Sequence, residues 1–247
     1  MIWPTVAISS YKKDNYEKIK LFKDRGYHKN MESIGLSYSW RATWIGKSGF
    51  LISAAINCTK ENTIVLFSLE MHEAQLKRRF MKSDEDIESL PIFVDDTPSI
   101  STSYLRSKIE LFQKEELDVQ IVLIDYLNLM NANSRQIEVS RKEDLNEIVK
   151  SLKLIAVELN VIIVAVAQLP RALECIENQH PLLSDFWASD CIAKYADSVF
   201  SIHRESYYRY GFNDEEDDVV EIIVAKHHDN SLNGIKLLFD KPNGVIV

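Results

Sequence analysis

Lys47, Glu70, Asp125 and Gln168 are far apart in this 247-residue chain, yet each stands where phosphate chemistry would want it. Gly46-Lys47-Ser48 opens onto the apolar run GFLISAAINC. A glycine turn feeding a helix start can cradle phosphate oxygens on backbone amides. The lysine then reaches the outer phosphates and the hydroxyl ligates magnesium. Further along, three apolar runs each end in a polar group: TIVLFS before Leu69-Glu70, VQIVLI before Asp125, and VIIVAVA before Gln168. In that chemistry Asp125 would serve a metal shell, Glu70 would polarise an attacking water, and Gln168 would sense the terminal phosphate. Taken singly, each has a plainer reading; Asp125, for example, is equally a turn or cap residue at a strand end. A Gly-Lys-Ser tripeptide alone is also a poor signal. The full phosphate-loop pattern has a glycine five residues before Gly46, and Arg41 stands there, with Trp44 and Ile45 crowding the same loop. The order of the four groups carries the argument.

The elements that must position them follow from periodicity. The runs at 63–68, 119–124 and 161–167 are continuously apolar and rich in β-branched residues. Strands buried on both faces of a parallel sheet look this way. A carboxylate at the carboxyl end of such a strand enters the crevice where open α/β sheets bind ligands. Between the strands lie helical patterns: residues 49–58, MHEAQLKRRFMK, Ser101 to Glu116, and a long segment with Leu145, Ile148, Val149, Leu152, Ile155, Ala156 and Leu159 on one face. IFVDD reads as a short strand, GLSYSW as a weak one, and GIKLLFDKPNGVIV as a hairpin after two strands near 198–202 and 219–225. The expectation is an α/β fold: a mainly parallel sheet with helices on both faces. Residues 35–247 form its domain. Residues 1–34 form an N-terminal segment with a short linker-type amphipathic helix, Tyr16, Ile19 and Phe22 lying three apart; a plain surface helix is the simpler account of that pattern.

Composition narrows the function classes. The chain is 46% hydrophobic and 27% charged, which suits a globular domain with a sizeable core. Its net charge of −8 argues against a broadly basic nucleic-acid coat, though not against a local basic lining. Cys58, Cys175 and Cys191 are too scattered for a disulfide framework or a CxxC metal site. His227-His228 has no third ligand at useful spacing. The opening residues lack a signal-peptide core and no run reaches membrane-spanning length, so a cytoplasmic protein with no membrane partner is expected. The acidic run 214–218 is read as a solvated loop.

FSLEM (67–71), IDYLNLM (124–130), ELNVIIVAVAQLPRALE (158–174), SDFWASDCIAKYAD (184–197) and AKHHDNSLNG (225–234) are similar, in this order, to the motifs of the C-terminal domain of DnaB-type replicative helicases. The resemblance covers roughly residues 35–247 and implies a RecA-like P-loop ATPase core. It also implies ATP and Mg2+ as cofactors, a homo-oligomeric, hexameric ring with nucleotide between subunits, and single-stranded DNA in the channel. Primase, a helicase loader or another helicase are the protein partners it suggests. By motif position, Gly46, Lys47, Ser48 and Asp125 bind nucleotide and, through Ser48 and Asp125, magnesium, with Arg41 in the first loop slot. Glu70 is the catalytic glutamate and Gln168 couples nucleotide state to DNA. Lys226 is the lysine presented to the neighbouring subunit's terminal phosphate.

Departures from the family pattern matter too. Arg41 replaces a small residue. His228 stands where the family carries an arginine finger, a group contributing roughly 10³–10⁵ in rate where it operates; histidine is mostly neutral at pH 7 and lacks the guanidinium fork. Trp187-Ala188-Ser189-Asp190 replaces an Arg-Glu-Ser-Gly DNA-contacting turn, losing a cation and gaining an acid. Trp187 is either a packed core or interface residue or a surface on which a base stacks. Arg135, Arg141 and Lys142 fall where RecA-type proteins place channel loops, and read equally as DNA contacts or solvated loop residues. The family's N-terminal helical domain and most of its linker are not represented. The leading expectation is ATP hydrolysis coupled to movement along single-stranded DNA. A non-hydrolysing relative acting as an adaptor or regulator is the rival, separated by DNA-stimulated ATPase activity. A stand-alone recombinase-type ATPase is a third reading, separated by strand exchange.

Overall fold

The apolar strands sort their side chains by parity. In the computed structural model, β3 (Thr63–Ser68), β5 (Val119–Asp125) and β6 (Ile162–Ala167) lie side by side in parallel, with β4 (Ile92–Asp95) parallel on the far edge of β3. Val65, Phe67, Val122, Ile124, Ile163 and Ala165 face one side; Ile64, Leu66, Ile121, Leu123, Val164 and Val166 face the other. Neither face meets solvent, which is why these strands carry no polar alternation. The residues described are 5–9, 35–37, 46–59, 62–80, 90–132, 141–167, 192, 194–204, 219–226, 234–240 and 244–246.

Each face has its own helices. On the first side pack α3 (Thr102–Lys114), through Leu105 and Ile109, and α4 (Arg141–Glu158), through Leu145, Ile148, Val149, Leu152, Ile155 and Ala156. These are the residues of the predicted apolar stripe, apart from Leu159, which lies just past the helix and packs partly buried against the same cluster. Ser101 caps α3 by accepting from the Tyr104 amide at 3.2 Å. On the second side pack α1 (Lys47–Cys58), through Phe50, Leu51, Ile52 and Ala55, and α2 (Glu73–Phe80), through Leu76 and Phe80.

The other half of the sheet runs antiparallel. β7 (Ser198–Arg204), β8 (Val219–Lys226), β9 (Gly234–Asp240) and β10 (Val245–Ile246) pair in sequence order, the last two as the expected terminal hairpin. A strand that periodicity did not announce, β1 (Thr5–Ser9), joins the halves, antiparallel to both β6 and β7. β2 (Gly35–Ser37) addresses the same β6 residues in the parallel sense, Ser37 opposite Val166. One strand edge satisfies one ladder of hydrogen bonds, so β1 and β2 are rivals for that edge. The predicted helix at 11–26 lies outside the described residues.

Ile148 is fully buried against the sheet, whereas Leu154, on the same helix, is 51% exposed. Ile148→Ala should therefore cost about 2–5 kcal/mol in a urea unfolding titration, and Leu154→Ala no more than about 0.5 kcal/mol. Equal costs would contradict the assigned helix face.

Candidate functional site

The site begins with a backbone turn. Gly46 has φ 109°, ψ 11°, a left-handed conformation that side chains disfavour. A Cβ here would approach Phe239 Cε2 to 3.2 Å. The first bond of α1 runs from the Phe50 amide to the Gly46 carbonyl at 2.6 Å, so the amides of Lys47, Ser48 and Gly49 have no carbonyl acceptor within the helix. Those donors, with the helix dipole behind them, are an anion-binding arrangement. The terminal hairpin braces it. The Ile246 amide donates to Ser53 Oγ at 2.9 Å, and Phe239 packs on Gly46 with the Arg204 guanidinium 4.0 Å above its ring.

Parity delivers the carboxylate. Asp125 shares the α1 side with Ile121 and Leu123 and lies in register with Ser68 of β3. Its carboxyl group is almost wholly buried, and burial pushes its pKa up to about 6; the Ser48 hydroxyl beside it pulls the other way, the Glu70 charge raises it further, and Lys47 and Arg79 lower it. Asp125 Oδ1 has no hydrogen-bond partner among the described residues. Lys47 is also buried, and desolvation lowers its pKa while Asp125 and Glu70 oppose that shift. Its ammonium sits 5.3 Å from the centroid of the Tyr126 ring. The Tyr126 hydroxyl is pushed up by burial and by the charges of Glu70 and Asp125. Glu70 is exposed, directly after the Leu69 amide that donates to the Asp125 carbonyl at 2.7 Å. The structure thus brings Lys47, Ser48, Glu70 and Asp125 to the carboxyl ends of β3 and β5.

Other candidates lie elsewhere. Lys226 ends β8 and donates to the Ala196 carbonyl at 2.5 Å. That places it near α4, across the sheet from α1, and β8 is four strands from β5, roughly 19 Å at a strand spacing of about 4.8 Å. Arg141 donates to the carbonyls of Asn128 and Met130 and so ties down the turn after β5. Lys142 is an exposed residue in the first turn of α4. Arg41, Arg135, Gln168, Trp187 and His228 lie outside the described residues. Sequence reasoning passed over Arg79, Tyr126 and the Arg204–Phe239 stack. Tyr126 alone had a readable cue, as the residue following Asp125.

A family model for the DnaB-like helicase C-terminal domain matches residues 81–244. The chain belongs to that family. A probable replicative DNA helicase of Trieres chinensis is 34% identical over 79% of this chain and 49% of its own length. The replicative DNA helicase DnaB of Geobacillus stearothermophilus is 32% identical over 80% and 48%. The chain therefore spans about half the length of the curated relatives it matches. Among solved structures, a DnaB-like replicative helicase, described with its interactions with primase, superposes with a TM-score of 0.72 at 27% identity, over 83% of this chain and 55% of that one. A second solved structure, of an ATPase domain, gives 0.72 at 26%, over 83% and 81%. A KaiC-like protein of Pyrococcus horikoshii, at 0.53 and 14%, covering 83% of this chain and 85% of that one, shares the fold alone. The DnaB-like domain thus has the RecA-like ATPase fold. Among the described residues, no helix is long and apolar enough to cross a membrane.

The donor set fits a nucleotide with a hard cation. The unpartnered Oδ1 of a buried carboxylate, a serine hydroxyl beside it and the amides of a helix start are oxygen-ligand and phosphate chemistry. Without a ligand the arrangement is costly. Because the folded protein holds the Asp125 proton more tightly than an unfolded chain would, the stability it contributes is present at low pH and lost as pH rises through about 6. Asp125→Asn should accordingly raise the unfolding free energy near pH 7.5 by up to about 3 kcal/mol, Lys47 offsetting part of the gain once its counter-charge is removed. The advantage should vanish by about pH 4 in urea titrations of the ligand-free protein. A variant less stable than wild type near neutral pH would contradict the buried-charge account.

Proposed function

We propose that this domain is the motor of a replicative DNA helicase: it binds ATP and Mg2+ between neighbouring copies in a hexameric ring, and couples hydrolysis to movement along single-stranded DNA. The carrying observation is the convergence of Lys47, Ser48, Glu70 and Asp125 at the Gly46 turn, with Asp125 Oδ1 unpartnered among the described residues. The amides of Lys47 to Gly49 would take phosphate oxygens, and the Lys47 ammonium would neutralise charge on the outer phosphates. Ser48 and Asp125 would hold magnesium, which supplies charge neutralisation across those phosphates. Glu70, exposed beside Lys47, would orient the attacking water and accept its proton.

Lys226 supports the shared-site part of this reading. It lies across the sheet from its own chain's phosphate turn, beyond the reach of a lysine side chain, so a phosphate it touches belongs to another copy. Gln168, Arg135, Arg141, Lys142 and Trp187 are proposed on the DNA side, with His228 beside Lys226 at the shared site and Arg41 in the loop before the turn. Primase and a helicase loader are proposed as cytoplasmic partners.

ATP turnover measured against protein concentration, with and without single-stranded DNA, tests the whole. Turnover should rise more steeply than linearly with concentration, increase with DNA, and fall by at least about 10³-fold in Lys47→Ala. Turnover that survives in Lys47→Ala would refute the assigned site. Absence of turnover at every concentration would refute the motor reading and favour a non-hydrolysing partner of another helicase.

A further inference from the structure

Glu70 sits in a short connection that is fastened at both ends. After β3, the Leu69 amide donates to the Asp125 carbonyl at 2.7 Å, and the Ser68 hydroxyl donates to the Met71 carbonyl at 2.6 Å. The second bond closes a turn with Leu69 and Glu70 inside it. Ser68 is itself buried, where an unmade hydrogen bond is costly. At the other end α2 begins at Glu73, whose amide is one of the donors that a helix start leaves without a partner in the helix. Asp96, the residue after β4, accepts from that amide through Oδ2 at 3.1 Å, and His72 Nδ1 lies 3.3 Å from the same oxygen. These two contacts, the amide first, hold the Asp96 carboxyl below the ordinary carboxylate range. Asp96 also stands on a fixed base. Its neighbour Asp95 accepts from the Tyr104 hydroxyl at 3.0 Å and pairs with Lys108 at 3.3 Å, both on α3 at the opposite face of the sheet from α2.

We propose that Ser68 and Asp96 are positioning residues for Glu70: the hydroxyl shapes the turn that carries the Glu70 carboxylate, and Asp96 fastens the exit of that turn to the edge strand. That Glu70 handles the attacking water rests on the function proposed above. A carboxylate that activates water is effective only within hydrogen-bond reach of one water position, about 2.6–3.2 Å, and a misplacement of about 1 Å can slow a reaction roughly 10²-fold. Glu70 is exposed, so packing around its side chain does not supply that precision and its backbone must. The Asp96 side chain is 41% exposed and that of His72 81%, so their charge pairing is worth little in water. The Glu73 amide is therefore the contact through which Asp96 acts. Asparagine accepts from a helix-start amide about as well as aspartate does, so the bond can be kept while the charge is removed.

The hold on the turn and its use in turnover can be measured separately on the full chain. Hydrogen–deuterium exchange, followed by mass spectrometry on peptides spanning residues 69–76, reports the hold without requiring turnover. Ser68→Ala and Asp96→Ala should each exchange these amides about fivefold faster, and Asp96→Asn should exchange like wild type. Unchanged exchange in both alanine variants would overturn the proposal. In ATP turnover, the two alanine variants should lose at least about tenfold in kcat with KM changed little. Asp96→Asn should stay within about twofold of wild type. In a Glu70→Ala background, adding Asp96→Ala should cost nothing further, because its effect passes through a carboxylate already missing. A full further loss there would mean that Asp96 supports the protein generally, and the positioning role would fall. Alanine variants that exchange faster yet keep the wild-type kcat would overturn it as well. An Asp96→Asn variant as slow as Asp96→Ala would overturn the route through the Glu73 amide. If Glu70→Ala turns over like wild type, the function assigned to Glu70 is refuted, while the exchange result still decides whether Ser68 and Asp96 hold the turn.

Discussion

A carboxylate buried at the end of a central strand, with one oxygen unpartnered among the described residues, is the constraint around which this domain is arranged. Asp125 is taken out of water by the same packing that makes β5 a core strand, and burial is the main force driving its pKa up to about 6. Lys47 shares the cost from the opposite sign, since its desolvation is relieved by Asp125 and Glu70. Two half-compensated charges in one hollow are a poor way to hold a fold together. They are a good way to hold something else, because a phosphate satisfies Lys47 and the helix amides while a cation satisfies Asp125. The site is pre-organised in the sense that its electrostatic deficit is fixed in place before any ligand arrives.

The rest of the sheet keeps that deficit in register. Parity decides which side chains meet α1, so a slip of one residue in β5 would send Asp125 to the α4 face and bring Ile124 to the phosphate turn. The antiparallel half contributes through its hairpin: Phe239 and Ile246 lean on Gly46, and Ser53 takes the Ile246 amide. Phe239 is in turn covered by Arg204. The residue forcing the turn is therefore held by chain nearly 200 residues downstream, and the same half carries Lys226 away to the other face.

Much of this was legible in the sequence because burial on both faces leaves a strong signature. TIVLFS, VQIVLI and VIIVAVA are strands whose polar successors had to emerge at one edge, which is why Lys47, Glu70 and Asp125 could be grouped from the residues alone. The stripe on α4 was equally plain. What was not legible is whatever depends on rotation or pairing between distant segments. Arg79 acts on Asp125, a consequence of how α2 is turned on its axis; composition shows only three adjacent cations, Lys77, Arg78 and Arg79. The strand 5–9 was missed since TVAIS is too short and too mixed to declare itself, and its ladder partners are more than 150 residues away. Arg141 read equally as a DNA contact or a solvated loop residue, and the structure has it serving the backbone of the turn after β5.

Charge balance ties the site to its neighbours. Among the described residues, Lys47 and Arg79 act on Asp125 together with Glu70, and these four groups balance formally before anything binds. A nucleoside triphosphate brings roughly four negative charges and magnesium cancels two. In the proposed function, the remainder, and the charge that shifts onto the outer phosphate oxygens during transfer, calls for cations beyond these four groups. Its own chain has placed Lys226 on the other face. Where the family resemblance implies an arginine two residues after that lysine, this sequence has His228, which is mostly neutral near pH 7. In the proposed ring, Lys226 then carries a larger share of the compensation than its counterpart would, and losing its proton would be felt directly at the neighbour's phosphate.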